Sequence, residues 1–182
     1  MAKLVLSMFM SLDGYVEGPN GFAPPPWSGD MERMWAGENL TGVGRLLYGR
    51  VNFLFNRDFW SSDEAAAAPH ATIMNSLPKT VVSATLTGDP GWNGEIVSGD
   101  LTGAVARLKR ETQGDIQSFG GAGLADSLIR ADLVDVYRLL LVPVLQGGGK
   151  RLFTDGRPAA DLALTDARRL DTGAMLLTYA KA

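Results

Sequence analysis

The sequence contains no cysteine. That absence excludes disulfides, thiolate zinc sites, iron–sulfur clusters and a cysteine nucleophile. Its single histidine, His70, rules out a His-rich metal site and makes any Ser–His–Asp triad depend on one residue. No apolar run approaches the ~18 residues that a membrane helix needs, so no membrane partner is expected. Basic charge is also scarce. Lys+Arg 17 stand against Asp+Glu 20, a net charge of -3, and Lys109-Arg110 and Arg168-Arg169 are pairs, not patches. Without a basic stripe to neutralise phosphates, no nucleic-acid partner is expected.

The 182 residues correspond to one domain, residues 1–182, on a prior of ~150 residues per domain. With 46% hydrophobic and 20% charged residues, the chain can bury a sizeable core. The run Leu4–Met10 is as apolar as a signal-peptide core. It leads into Ser-Leu-Asp-Gly, however, and not into a small-residue cleavage site, so it reads as a strand of a cytoplasmic protein.

Short apolar runs alternate with helical stretches, which predicts an α/β layer architecture. Lys3–Ser11 is apolar on both faces, as a central strand is. A Gly/Pro-rich segment follows from Asp13 to Gly29, and loops of that length are mostly functional or disordered. Asp30 is placed as the N-cap of a helix carrying Met31, Met34 and Trp35. Further strands are expected at Arg45–Tyr48, Thr80–Ser83, Glu95–Ser98, Asp115–Phe119 and Val134–Val142. Helical spacing is present from Asp100 to Thr112 and from Leu124 to Ala131, after a Gly120–Gly123 turn. Ser61–Leu77 reads as helix or loop, and two antiparallel strands close the chain near Asp161–Arg168 and Met175–Tyr179.

In a mainly parallel sheet, ligands bind beyond the carboxyl ends of the strands. Three turns fall at such ends. Phe119-Gly120-Gly121-Ala122-Gly123-Leu124 brings glycines and a helix N-terminus to a phosphate, or serves as a plain strand-to-helix turn. Gly49-Arg50 offers a clamping guanidinium, or a solvated arginine on a first helical turn. Ser83-Ala84-Thr85 offers two hydroxyls to a phosphate, or caps a turn. Asp13 at the mouth of the same crevice is a candidate proton relay or an ordinary Asp-Gly turn. Trp27 and Trp35 could wall an aromatic substrate, and Asp30 and Glu32 are candidate substrate carboxylates. His70 receives no role.

These pieces, in this order, resemble the dihydrofolate-reductase-like superfamily, and within it the reductase domain of bacterial riboflavin-biosynthesis deaminase-reductases and its stand-alone relatives. The resemblance is carried by Ser-Leu-Asp-Gly-Tyr-Val at 11–16, Tyr-Gly-Arg at 48–50 and Val-Val-Ser-Ala-Thr-Leu at 81–86. It continues with Gly-Gly-Ala-Gly-Leu at 120–124 and Val-Pro-Val-Leu-Gln-Gly-Gly-Gly-Lys-Arg-Leu-Phe at 142–153. It implies a three-layer fold with a mostly parallel eight-stranded sheet, an antiparallel C-terminal strand, and NADPH across the strand ends. It further implies that Gly49, Arg50, Val51 and Asn52 approach the cofactor phosphates, and that Ser83, Ala84 and Thr85 meet the adenosine end. Gly120, Gly121, Ala122, Gly123 and Leu124 would cradle the pyrophosphate, and Phe119 and Val16 would lie near the nicotinamide. Residues 13–27 would form an active-site loop, and the Gly120–Gly121 peptide would be cis.

Some positions depart from the family's pattern. Ala84 replaces a polar residue common in relatives, which leaves NADPH preference resting on Arg50 and Thr85. Val51-Asn52 stands where a Lys-Thr pair is frequent, and the Cys- and His-bearing deaminase half is absent. The implied activity is hydride transfer from NADPH to a small heteroaromatic, iminium or carbonyl substrate, pyrimidine-like or pterin-like, with protons from Asp13 or solvent. The alternative is a non-catalytic nucleotide-binding module of the same fold. A serine hydrolase is set aside, because no G-x-S-x-G elbow is present. The edge left by the C-terminal strands makes a homodimer the expected assembly.

Overall fold

The computed structural model describes residues 1–21 and 25–182; residues 22–24, which include part of the expected active-site loop, lie outside the described residues. Its centre is an eight-stranded sheet. The strand β1 (Leu4–Ser11) runs parallel to β6 (Asp115–Ser118) on one side and to β7 (Val136–Val142) on the other. Buried on both faces, β1 has no need of polar alternation, which is why its sequence is almost continuously apolar.

Beyond β6 lie β3 (Val43–Gly49), β4 (Lys79–Val82) and β5 (Gly94–Val97), all parallel. Beyond β7, β10 (Met175–Lys181) and the edge strand β9 (Leu162–Arg169) run antiparallel. The expected mixed α/β fold is therefore present.

Side-chain parity builds the layers. Leu4, Leu6 and Met8 face a core shared with α3 (Leu101–Glu111) and α4 (Ala122–Arg130). On the opposite face, Leu46, Tyr48 and Val81 pack with Phe53 of α1 (Arg50–Trp60) and Met74 of α2 (Ala71–Ser76). Further along that face, Met31 and Trp35 of a π-helix (Met31–Gly37) cover Leu140 and Leu176. A two-stranded ribbon joins β2 (Tyr15–Glu17) to β8 (Lys150–Arg151). Neither is signalled by periodicity, because three residues and two residues carry none.

Several local expectations are corrected. Asp30 does not cap its helix. Its carboxylate accepts from Arg33 (2.6 Å) and from the Asp171 amide (2.9 Å), while Ser28 Oγ accepts the Met31 amide (3.2 Å). Ala122 and Gly123 belong to the first turn of α4 and not to a preceding loop. The β7 strand starts at Val136, two residues after the expected Val134, and Ser83 lies just past the end of β4. The Gly120–Gly121 peptide is not cis. The turn is made instead by consecutive positive dihedrals, φ 82° and 75°, which glycine adopts without strain.

Lys79, the first residue of β4, is wholly buried. Its Nζ donates to the Met74 carbonyl and sits 4.0 Å from the Trp92 ring centre. Burial pulls its pKa down to about 8 from 10.5. A folded-state pKa below the unfolded one means that the unfolded chain binds more protons between these values, so stability rises with pH across that window. The penalty is fully present below pH 8 and gone above 10.5. Denaturant midpoints are expected to climb between those pH values, by about 3 kcal/mol in free energy at most. The Lys79→Met variant is expected to flatten the climb, and an equally steep climb in that variant would assign it to another group.

Candidate active site at the carboxyl edge of the sheet

The parallel strands end in register, Gly49 beside Val82 and Val82 beside Val97. From this edge α1 leaves the end of β3, and α4 leaves the end of β6. The first four amides of any helix lack intrahelical partners and are usually met by a capping side chain. In α3, which follows β5 at this same edge, Asp100 does so, accepting the Gly103 amide at 2.9 Å. Gly49 and Gly121 stand at the caps of α1 and α4, and neither helix has a side-chain cap.

Both open helix ends border one cleft of about 820 Å³, with residues 49–52 on one wall and 121–124 on the other. A Cβ on Gly123 would meet nothing within 4 Å, so the wall is open there. Arg50 is exposed, and among the described residues it makes no hydrogen bond or ion pair. Two positive helix ends suit a diphosphate, and the uncommitted guanidinium suits a further phosphate beside it.

The walls are held in relation to each other by Asn52. Its Nδ2 donates to the Gly120 carbonyl at 3.0 Å and, less directly, to Phe119 at 3.4 Å. Asn56 Nδ2 donates in turn to Asn52 Oδ1 (2.9 Å), and Trp60 Nε1 to Asn56 Oδ1 (3.2 Å). This ladder occupies one face of α1 at i, i+4 and i+8. Asn52 therefore spends its amide on the opposite turn.

The inner cleft is apolar: Met8, Phe9, Val16, Trp35 and Phe119 line it, and the exposed Phe55 of α1 borders it from the solvent side. The Phe9 and Trp35 rings lie 4.5 Å apart at 33°. At the rim, Lys150 Nζ pairs with Glu17 at 2.8 Å. Sequence reasoning missed Met8, Phe9, Phe55, Glu17 and Lys150 as site residues. Only Phe55 carries a signal, an exposed apolar side chain at helical spacing from Val51 and Phe59.

Other sequence candidates are placed outside the cleft lining. Asp13 accepts from Ser11 Oγ (2.7 Å) and from the Gln146 (3.0 Å) and Gly147 (2.8 Å) amides. These bonds, Ser11 foremost, hold its carboxyl down at about 2. Ser83 Oγ accepts the Thr85 (3.2 Å) and Leu86 (2.9 Å) amides, while Ala84 and Thr85 are exposed at the same sheet edge. Trp27 is 56% exposed and donates its indole N–H to Glu32 at 2.8 Å. The other Glu32 oxygen lies 2.7 Å from His70 Nε2, which gives the single histidine a structural partner.

Among the described residues, no helix is long and apolar enough to cross a membrane. Comparison with known proteins places this geometry. The chain is 28% identical to the uncharacterized protein YyaP of Bacillus subtilis (strain 168), over 97% of this chain and 94% of that one. A Shewanella sp. PV-4 protein assigned to riboflavin biosynthesis superposes with a TM-score of 0.77, 22% identity and coverage of 100% and 99%. The Enterococcus faecalis dihydrofolate reductase complexed with NADP(H) superposes with a TM-score of 0.63, 13% identity and coverage of 98% and 96%. At these identities the two structures show a shared dihydrofolate-reductase-like fold. The RibD C-terminal domain profile matches residues 2–176, and the chain belongs to that family.

Proposed function

We propose that the chain is an NADPH-dependent reductase of a small heteroaromatic or carbonyl substrate. The observation that carries this reading is the pair of uncapped helix N-termini, α1 and α4, opening onto one cleft whose inner end is apolar. When bound, NADPH supplies a hydride to an electrophilic carbon, and water supplies the accompanying proton.

The chain's own residues bind and position. Amides at 50–52 and 122–124 hold the diphosphate, and Asn52 fixes the distance between the two sets. Val16 and Phe119 border the apolar stretch where a nicotinamide would lie and exclude water from it. Asp13, ionised at neutral pH, serves as a clasp between the 11–14 turn and the 146–147 loop, so protons come from solvent.

Arg50 is the residue free to meet a 2′-phosphate. Arg50→Ala is expected to weaken NADPH binding about 10-fold or more, from loss of a charge-assisted bond of about 1.5–3 kcal/mol, and to leave NADH within twofold. Nucleotide-fluorescence titration of both cofactors reads this directly. Equal loss for both would remove Arg50 from the 2′-phosphate, and failure of the parent protein to bind either would end the reductase reading.

A further inference from the structure

The π-helix forms one wall of the inner cleft and carries or adjoins three carboxylates, yet none of them lines the cleft. Asp30 is held by Arg33 and the Asp171 amide, and Glu32 by Trp27 and His70. Glu38 is gripped by Arg138 (3.0 Å) and Arg168 (2.6 Å), which hold its carboxyl down at about 2. The π-helix residue that lines the cleft is Trp35, against Phe9.

The other ionisable groups of the lining are accounted for. Glu17 and Lys150 neutralise each other at the rim, and Arg50 stands with the uncapped start of α1 at the phosphate end. On the floor, Ser7 donates its hydroxyl to Asn39 Oδ1 at 2.8 Å. The undescribed Phe22, Ala23 and Pro24 bear no charge, so they cannot supply one.

We infer that the substrate is a flat, uncharged ring, and not a protonated aminopyrimidine or an iminium. This rests on the reductase reading above and narrows it. A cationic edge entering the inner cleft would lose its hydration and meet no counter-charge. A neutral ring loses little hydration and gains aromatic contact with Trp35, Phe9 and Phe55.

The test has two stages. NADPH binding to the intact protein is measured first by nucleotide fluorescence. Calorimetry then compares a neutral probe, 2-methyl-1,4-naphthoquinone, with 2,4-diaminopyrimidine at a pH where the latter is protonated. At least tenfold tighter binding of the quinone is expected. The Trp35→Leu variant should lower quinone affinity about tenfold, and the exposed Phe55→Ser, which is safe for folding, several-fold. If NADPH binds and the diaminopyrimidine binds equally well or better, the neutral-ring inference is overturned while the reductase reading stands. If NADPH does not bind, the reductase reading falls and takes this inference with it. Quinone affinity untouched by both variants would also overturn it, by placing the ring elsewhere.

Discussion

Gly120→Ala is expected to destabilise the protein by about 2–6 kcal/mol, the sum of two costs of about 1–3 kcal/mol each. The first is conformational: Gly120 sits at φ 82°, where an L side chain is strained. The second is steric, because a Cβ there would stand 2.1 Å from Met8 Sδ and 2.7 Å from its Cε. The atoms met are the far end of a flexible side chain within a packed core, so the steric share lies at the low end of its range. Denaturant unfolding of Gly120→Ala, Met8→Ala and the double variant separates the terms. The double variant should recover the steric share and retain the dihedral share, giving a coupling energy of about 1 kcal/mol or more. Additive losses would mean that the Met8 contact is not the constraint.

Asn52→Leu should lower cofactor affinity about 10- to 100-fold for NADPH, equivalent to about 1.4–2.8 kcal/mol. Leucine matches asparagine in size but leaves the Gly120 and Phe119 carbonyls without a donor; Asn56 loses the Asn52 side-chain oxygen and keeps only the backbone carbonyl of residue 52 (2.8 Å) as acceptor. The turn that launches α4 is then free to drift, and the α4 amides lose their spacing from those of α1. A stability loss of about 1–3 kcal/mol accompanies this, as for any partly buried polar group stripped of its partner. Asn52→Asp should be worse, since it keeps the acceptor for Asn56 but points an anion at two carbonyls and the diphosphate. An Asn52→Leu protein that binds NADPH within twofold of the parent would show that the strand ends alone set the geometry.

The strand ends are the most legible part of this molecule. Apolar runs ending in glycine ahead of helical spacing mark Gly49 and the 120–124 turn, and the backbone there obeys local rules. Trp35 and Asp30 mark the region of the π-helix, but its unusual winding has no signature in seven residues. Asn52 is legible as a position and not as a task. Its amide partners belong to a turn 67 and 68 residues away, so no spacing within α1 could announce them. The same distance hides Asp13, whose clasp reaches a loop 133 and 134 residues further along the chain. Ser83 is different again. Both its turn-capping and its ligand-binding alternatives were readable, and the structure gives its oxygen two amides of its own loop.

The open ends of α1 and α4 have a thermodynamic consequence for the living cell. A protein that withholds side-chain caps from both helices facing its cleft has part of its stability supplied by whatever fills them. At a nucleotide concentration a hundred times the dissociation constant, mass action adds about 2.7 kcal/mol to the folded state. On the NADPH reading proposed above, abundance and resistance to proteolysis would track the cell's supply of reduced nucleotide, independently of any turnover.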